Sequence, residues 1–374
     1  MISINDIRNS PKKVEESLNT KGYEESINDI VLIDTDYRKI THSIETLRAK
    51  KNLVSEEVAD AKRSGQQSEG KIKQMRVLGN EIKSLEIELS KVKVKLSSRL
   101  EEIPNLPDKS VPIGVDEKDN VIIRQWGKSP VFDFKEKSHL ELGKSLNLFD
   151  LERGAKISGS GFPLYLGKGA ELERKLINSM IEHHVKNYNF IEVFPPVLLL
   201  EESMKTTGQL PKFKEDMYLA DLDELYLAPT AEVPITNIHR NEIISESELP
   251  ISYVAYSPCF RRESGSYGKD TRGLLRLHQF NKVEMVKFVK PDDSYPALEE
   301  ITLQAESILQ KLGLTYRVVE LCTGDLSFAA AKCYDIEIWS PAEKQWLEVS
   351  SCSNFEDFQS RRGKIRYRSE NDKK

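Results

Sequence analysis

These 374 residues lack several features that identify common classes of protein. The missing features are those of membrane proteins, of secreted proteins and of two common nucleotide-binding folds. No run of about twenty apolar residues occurs, so we expect no membrane-spanning helix. The N-terminus, MISINDIRNSPKK, lacks the pattern of a signal peptide, which favours a cytoplasmic protein. No GxGxxG or Walker-type loop is present, which argues against Rossmann and P-loop folds.

Cysteine is scarce and widely spaced. The four residues, Cys259, Cys322, Cys333 and Cys352, form no CxxC pair. Such residues are more often small buried hydrophobic side chains than metal ligands. We therefore expect reduced cytosolic thiols rather than a zinc site.

A heptad pattern covers residues 27–102. Apolar residues recur with alternating steps of four and three along two stretches, separated by a polar segment at residues 60–71. This pattern predicts an antiparallel coiled-coil hairpin whose arms of about 25–30 residues reach roughly 40 Å. The predicted seam consists of Ile33, Tyr37, Ile40, Ile44, Leu47, Val54, Val58, Ile72, Met75, Ile82, Leu85, Leu89, Val92 and Leu96.

The segment PNLPDKSVPIG, rich in proline, follows the heptads. It marks the predicted boundary between an N-terminal domain, residues 1–103, and a second domain, residues 104–374. Residues 61–100 contain ten Lys or Arg and four Asp or Glu, a balance of +6, whereas the whole chain carries −5 and the remainder therefore −11. Lysines commonly just solvate a helix, but a basic segment on an acidic protein also suits a phosphate backbone.

Beyond residue 104 the pattern is mixed. Amphipathic helices are predicted at 169–188 and 299–312, and strands at 190–194, 225–229, 251–257, 277–289, 315–321, 333–339 and 345–350. Consecutive strands joined by short turns predict an α+β fold, with helices packed on an antiparallel sheet.

Residues 258–284, PCFRRESGSYGKDTRGLLRLHQFNKVE, predict two strands joined by a long glycine-containing loop. Arg261 and Glu263 alternate on the first strand, and Phe280, Lys282 and Glu284 on the second, so each set is expected on one face of the sheet. A cation, carboxylates and an aromatic ring can together hold a nucleotide. The alternative is a solvated hairpin with surface ion pairs, but the loop at 264–273 exceeds the usual length of about two to five residues.

Two other segments carry candidate site residues. Thr230, Ala231 and Glu232 follow a strand-like LYLAP, and Thr230 and Glu232 are expected on the same side unless the threonine caps a helix. Residues 346–354, WLEVSSCSN, begin as a strand and continue into a Ser/Asn turn.

The string FRRESGSYGKDTRGLLRLHQFNKVE resembles motif 2 of the class II aminoacyl-tRNA synthetases, in the version of the seryl-tRNA synthetases. LAPTAEVPITN resembles that family's amino-acid-binding segment, and Phe194-Pro195-Pro196 resembles motif 1, which builds the dimer interface. The resemblance covers essentially the whole chain, including the helical hairpin. It implies ATP-dependent activation of L-serine and transfer to tRNA(Ser), and also tRNA(Sec), by a homodimer. It also implies that the basic arm and the motif 2 loop contact tRNA.

The resemblance also implies roles for individual residues. Arg261 is the catalytic residue, holding the ATP α-phosphate and the serine carboxylate, while Glu263 reads the adenine amine and Phe280 lies under adenine. Glu348 and Ser351 hold Mg²⁺. The serine site consists of Thr230, Ala231, Glu232 and Glu284. The ATP site consists of Arg261, Arg262, Glu263, Arg272, Phe280, Glu348, Val349, Ser350 and Ser351.

The end of the sequence departs from the family pattern. Family members continue through motif 3, with an NGSG serine contact and a second ATP-binding arginine, whereas this sequence ends in RSENDKK. This predicts a truncated enzyme of low activity and stability, or a non-catalytic paralogue that binds tRNA or protein. A class II synthetase for threonine or proline lacks support from the helical hairpin, and a structural coiled-coil protein leaves the mixed α/β region unexplained.

Overall fold

The computed structural model of the chain describes residues 1–264 and 273–369. The backbone contacts divide the chain into two compact units. One consists of Ile2–Asn19 and Tyr23–Ile103, and the other of Met1, Thr20–Gly22 and Pro104–Lys374. Within the described ranges, we find no helix with the length and apolar character needed to cross a bilayer.

The smaller unit is helical. Its helices are α1 (Ile4–Asn9), α2 (Pro11–Thr20), α3 (Asn28–Arg63) and α4 (Glu69–Glu101). Helices α3 and α4 form the expected hairpin, and every predicted seam residue is buried or half-buried. Leu78 joins the seam, packing with Val54 and Val58.

The turn of this hairpin is shorter than predicted. The helices continue through the polar residues on either side, so that only residues 64–68 connect them. Polar residues at an exposed tip do not oppose helix formation, and helix α3 ends where Gly65 adopts a left-handed conformation with φ +71°. Across the hairpin, Arg48 pairs with Glu86 at 2.6 Å, and near its base Arg99 Nε donates to Asp29 at 2.7 Å.

The larger unit is α+β, as predicted. Its helices are α5 (His139–Ser145), α6 (Leu151–Ser158), α7 (Gly167–Tyr188), α8 (Glu201–Thr207), α9 (Glu232–Thr236), α10 (Ser294–Leu312) and α11 (Phe358–Gly363). Its strands are β1 (Val121–Trp126), β2 (Phe149–Asp150), β3 (Leu164–Tyr165), β4 (Ile191–Val193), β5 (Leu198–Leu199), β6 (Leu219–Ala220), β7 (Leu225–Leu227), β8 (Ile243–Ser245), β9 (Ile251–Phe260), β10 (Gln279–Phe288), β11 (Tyr316–Glu320), β12 (Lys332–Ser340), β13 (Gln345–Asn354) and β14 (Arg366–Arg368).

Two sheets position the candidate site residues. One is antiparallel with the strand order β1-β11-β12-β13. In the other, β9 lies between an antiparallel β10 and a parallel β4. Smaller sheets have the orders β5-β7-β6, β14-β8 and β2-β3.

Each of the two main sheets buries apolar side chains against helices. The four-stranded sheet packs Tyr316, Val318 and Ile336 against Leu298 and Leu309 of α10. In the other sheet, Val254 packs with residues of α7, while the neighbouring Ala255 packs with residues of α9. Since consecutive strand residues face opposite sides, β9 lies between these two helices.

Candidate active site

The first segment predicted to carry the site leaves the sheet earlier than expected. Strand β9 ends at Phe260, so placing Arg261 and Glu263 on the strand was wrong. The register ends with Gln279 opposite Phe260, and beyond it Arg262 donates its N–H to the Asp216 carbonyl at 2.9 Å. Glu263 then adopts a left-handed conformation with φ +53°, which ends strand alternation.

Arg261 nevertheless lies beside the predicted aromatic ring. Its guanidinium carbon is 5.1 Å from the centroid of Phe280, which is on strand β10 as predicted. Its Nε donates to the Pro229 carbonyl at 3.2 Å, directly before Thr230 in the chain. The structure therefore brings a cation, an aromatic ring and the start of the TAE segment together.

Glu263 has a cationic partner that the sequence did not single out. Arg276 Nη1 donates to Glu263 Oε2 at 2.5 Å. The two residues flank the long loop, so this ion pair joins its two ends. Arg272, predicted as a member of the ATP site, lies outside the described residues.

The carboxylate of Glu284 receives two donors on one oxygen. The Thr230 hydroxyl donates to Glu284 Oε2 at 2.6 Å, and Lys282 Nζ contacts the same oxygen at 2.5 Å. Lys282 and Glu284 alternate along β10 and share a face, as predicted. Although burial disfavours the ammonium, the neighbouring Glu284 raises the pKa of Lys282 above its ordinary value.

Thr230 and Glu232 do not alternate on a strand, which corrects the prediction. Glu232 opens the short helix α9, and the Glu232 N–H donates to the Thr230 hydroxyl at 3.2 Å. Thr230 thus accepts a hydrogen bond at the start of the helix, close to the capping role considered as the alternative, while its hydroxyl donates to Glu284. Ala231 is fully buried against Ile235 and Ala255.

Glu232 is a second carboxylate in this cluster and, like Glu284, it is half-buried. Gln359 Nε2 donates to Glu232 Oε1 at 2.6 Å. Burial and the nearby Glu284 raise the pKa of Glu232 to about 7, while Lys282, Gln359 and Arg261 act in the opposite direction.

A β-bulge in strand β13 determines which side chains of the third candidate segment, residues 346–354, share a face. Strand β13 pairs Glu348 with Glu337 and Ser351 with Asp335, and the register shifts between these pairs. Without the bulge, side chains separated by three positions would face opposite sides of a strand. With it, Glu348 and Ser351 share one face with Asp335.

The other two residues of this segment are arranged differently. Val349, half-exposed, is the extra residue of the bulge, and Ser350 is opposite Ile336 on the face turned toward Cys352. The four residues therefore do not share one surface, and β13 continues to Asn354, so the Ser/Asn turn expected in this segment was wrong.

Asp335 adds a carboxylate to the face of Glu348 and Ser351. Burial and the nearby Glu348 raise the pKa of Asp335 to about 7. Burial also raises the pKa of Glu348, against the effect of Arg261 and Lys282. These two cations influence both Glu348 and Glu232, so the carboxylates of the two sheets belong to one electrostatic environment.

Sequence reasoning missed several members of this environment. Lys282 was placed on the correct face but left out of the site, although its alternation with Glu284 was sufficient to include it. Asp335 and Gln359 gave no local signal, because their partners Ser351 and Glu232 are distant in the sequence. All four cysteines are free and buried, as expected.

Comparison with known proteins gives consistent matches along the chain. Residues 1–107 match the family described as "Seryl-tRNA synthetase N-terminal domain", and residues 213–374 match "tRNA synthetase class II core domain (G, H, P, S and T)". A serine–tRNA ligase of Thermodesulfovibrio yellowstonii is 51% identical over 371 residues, covering 98% of this chain and 87% of the relative. That of Geobacter sulfurreducens is 50% identical over 368 residues, with the same coverage.

Solved structures give the same result. Seryl-tRNA synthetase of Pyrococcus horikoshii complexed with ATP aligns with a TM-score of 0.92 and 36% identity, covering 100% of this chain and 89% of that chain. The cytoplasmic serine–tRNA ligase of Naegleria fowleri in complex with AMP aligns with a TM-score of 0.86 and 26% identity, covering 98% of this chain and 88% of that chain.

Proposed function

Because this chain belongs to the seryl-tRNA synthetases of class II and is a serine–tRNA ligase, we propose that the cluster around Glu284 and Arg261 is its site of serine activation. The observation that carries this proposal is the convergence of Thr230, Glu232, Lys282 and Glu284. Two carboxylates suit the ammonium of serine. Buried hydrogen-bonding groups also select for its hydroxyl, because an analogue without the hydroxyl would leave them unpaired.

ATP binds beside this cluster. Arg261 neutralises the α-phosphate, and Phe280, whose ring it contacts, supports adenine. Glu263, held by Arg276, accepts from the adenine amine, with Arg262 adjacent in the chain. The related Pyrococcus horikoshii enzyme was solved with ATP, which supports this assignment. Arg272 remains a proposed contact.

The reaction requires alignment and charge neutralisation. The serine carboxylate attacks the α-phosphorus of ATP, and pyrophosphate leaves. The terminal ribose hydroxyl of tRNA then takes the seryl group from seryl-adenylate, which releases AMP and a proton. Arg261 faces the developing phosphate charge from a site where its orientation is already fixed by the Pro229 carbonyl. A serine carboxylate is already a nucleophile, so the first step needs no general base.

The residues around Glu348 fit Mg²⁺. The bulge of β13 turns Glu348 and Ser351 to one face with Asp335, which gives the all-oxygen donor set that Mg²⁺ prefers. When bound, the ion neutralises phosphate charge. Val349 and Ser350 carry the backbone of this segment past the ATP site.

The helical hairpin supplies the tRNA contact. Its second half contains most of the +6 balance of residues 61–100, and a basic rod contacts structured RNA by shape and backbone charge. We assign residues 1–103, with the arm at 27–102, to tRNA binding and residues 104–374 to catalysis. The motif 2 loop adds a second contact with tRNA(Ser), and with tRNA(Sec).

A second copy of this chain covers the motif 1 region. Phe194 is 84% exposed, and Ile191, Leu198 and Leu200 beside it are also exposed. A row of exposed large apolar side chains is typical of a subunit interface. A homodimer is therefore the proposed assembly, acting in the cytoplasm.

An amino-acid panel in ATP–pyrophosphate exchange tests this function. Serine should support exchange, whereas threonine, proline and alanine should not. Glu284→Gln should abolish exchange with serine, whereas Glu300→Gln, which removes a carboxylate paired with Lys287, should not change it. Exchange with threonine or proline at the rate of serine would contradict the proposal.

A further inference from the structure

We propose that Gln359 is a positioning residue of the serine site, holding the carboxylate of Glu232 so that one of its oxygens faces the amino acid. This inference rests on the proposed function. Gln359 belongs to neither the motif 2 hairpin nor the TAE segment, and it lies 127 positions from Glu232 in the chain.

The orientation of the Gln359 amide is determined by its partners. Its Nε2 donates to Glu232 Oε1 at 2.6 Å and to the Thr207 carbonyl at 3.3 Å. Both partners are acceptors, so the NH₂ group, and not the amide oxygen, must face them. Gln359 is 6% exposed, which leaves its side chain little freedom.

Tight packing of α11 against α8 keeps Gln359 in place. A Cβ at Gly363 would lie 2.8 Å from Thr206 Cγ2, so the close approach of the two helices requires glycine. Arg362 Nη1 donates to the Lys205 carbonyl at 3.1 Å, which joins the helices a second time. Phe358 is fully buried at the start of α11.

The donors in this cluster divide the four oxygens of Glu284 and Glu232 into two pairs. Thr230 and Lys282 both contact Glu284 Oε2, and Gln359 contacts Glu232 Oε1. Within residues 1–264 and 273–369, no side chain donates to Glu284 Oε1 or Glu232 Oε2. These two oxygens are available for the ammonium and hydroxyl of serine, and Gln359 determines which oxygen of Glu232 is one of them.

The electrostatics of Glu232 give this role a measurable signature. The charged groups facing Glu232 are Glu284, Lys282 and Arg261. Burial and Glu284 raise the pKa of Glu232, whereas the hydrogen bond from Gln359 lowers it. Removing the donor therefore raises the pKa of Glu232. A larger fraction of Glu232 is then neutral at pH 7, and a neutral acid binds an ammonium less strongly.

Gln359→Met tests the inference, because methionine keeps the length of the side chain but has no donor. The probe is seryl-sulfamoyl-adenosine, a non-hydrolysable analogue of seryl-adenylate, titrated calorimetrically into the full chain at pH 7 and pH 8.5. We expect roughly tenfold weaker binding or more at pH 7, as for loss of a hydrogen bond to a charged group, and a smaller loss at pH 8.5. The affinity for ATP should not change.

Two further variants separate positioning from general destabilisation. Gln304→Met is the matched control, since Gln304 is also buried and donates to a glutamate, Glu300, but is part of α10. It should bind the probe like the wild type. In a Glu232→Gln background, Gln359→Met should have little further effect, because the carboxylate it positions is gone.

The possible results are distinct. Equal affinity of the wild type and Gln359→Met at both pH values, or an equal loss in Gln304→Met, overturns the inference. If Gln359→Met does not fold, Gln359→Glu replaces it, and this variant should bind the probe more weakly at pH 7 because a third acid adjoins Glu232. If the wild type binds the seryl analogue no better than the alanyl analogue, the proposed serine site itself is wrong, and the inference with it.

Discussion

At the scale of single residues, the site depends on how buried charges are balanced. Lys282 is the cation in direct contact with Glu284, and it also acts on Glu232 and Glu348. The Lys282 and Glu284 side chains are 32% and 17% exposed. Removing one partner of this half-buried ion pair leaves the other charge uncompensated, at a cost below the about 3–5 kcal/mol of a fully buried pair. Lys282 is therefore expected to matter for serine binding as much as the carboxylates do.

Lys282→Met should lower kcat/KM for serine in pyrophosphate exchange by about one to two orders of magnitude, or roughly 1.4–2.7 kcal/mol. Lysine is required here because it compensates Glu284, whose Oε2 it contacts at 2.5 Å. Lys287→Met is the matched control, since Lys287 is on the same strand but faces Phe190. Unchanged serine kinetics in Lys282→Met would contradict this role.

At the scale of helices and strands, periodic segments could be predicted and their ends could not. The heptads predicted α3 and α4, and alternation predicted the central part of β10, because these patterns extend over many residues. The last residue of β9, Phe260, pairs with Gln279, the first residue of β10. The end of the strand therefore depends on a contact between residues that are far apart in the sequence. The bulge at Val349 likewise depends on pairing with β12 and left no trace in the local sequence.

A buried histidine of helix α7, His184, makes the stability of the fold depend on pH. His184 is buried, and burial together with His183 lowers its pKa to about 4, below an ordinary value of 6.5. Between these pH values the unfolded chain binds more protons than the folded chain, so the free energy of unfolding falls as the pH is lowered from 6.5 to 4.

His184 accounts for roughly 3 kcal/mol of the free energy of unfolding that is lost between pH 6.5 and pH 4. Denaturant unfolding at several pH values, in the wild type and in His184→Leu, measures it. The variant should lose less stability over this range than the wild type does. A parallel decline in both proteins would show that His184 is not the group responsible.

At the scale of the whole molecule, the sequence predicted the family because its motifs are specific and occur together with the heptads. Motif 2 and the TAE segment predicted Thr230, Arg261, Phe280 and Glu284 as one site, and these residues do converge. Residues contributed by distant segments, such as Asp335 and Gln359, become apparent only when the sheets and helices are assembled.

The division of labour between the two units can be tested by shortening the arm. Replacing residues 50–84 with a short Gly-Ser turn keeps the Arg48–Glu86 pair, which at 2.6 Å shows where the two helices can be rejoined. Serine-dependent pyrophosphate exchange should be retained, whereas charging of tRNA(Ser) should fall by at least about tenfold, since phosphate contacts supply much of the affinity. Equal loss of both activities would contradict separate roles.

The most direct test of the account is a crystal structure of the chain with seryl-sulfamoyl-adenosine. We expect adenine against Phe280, the sulfamoyl group at Arg261, and the serine ammonium and hydroxyl at Glu284 Oε1 and Glu232 Oε2. The same analogue bound elsewhere, or bound here with its seryl group pointing away from Thr230 and Glu284, would contradict the account.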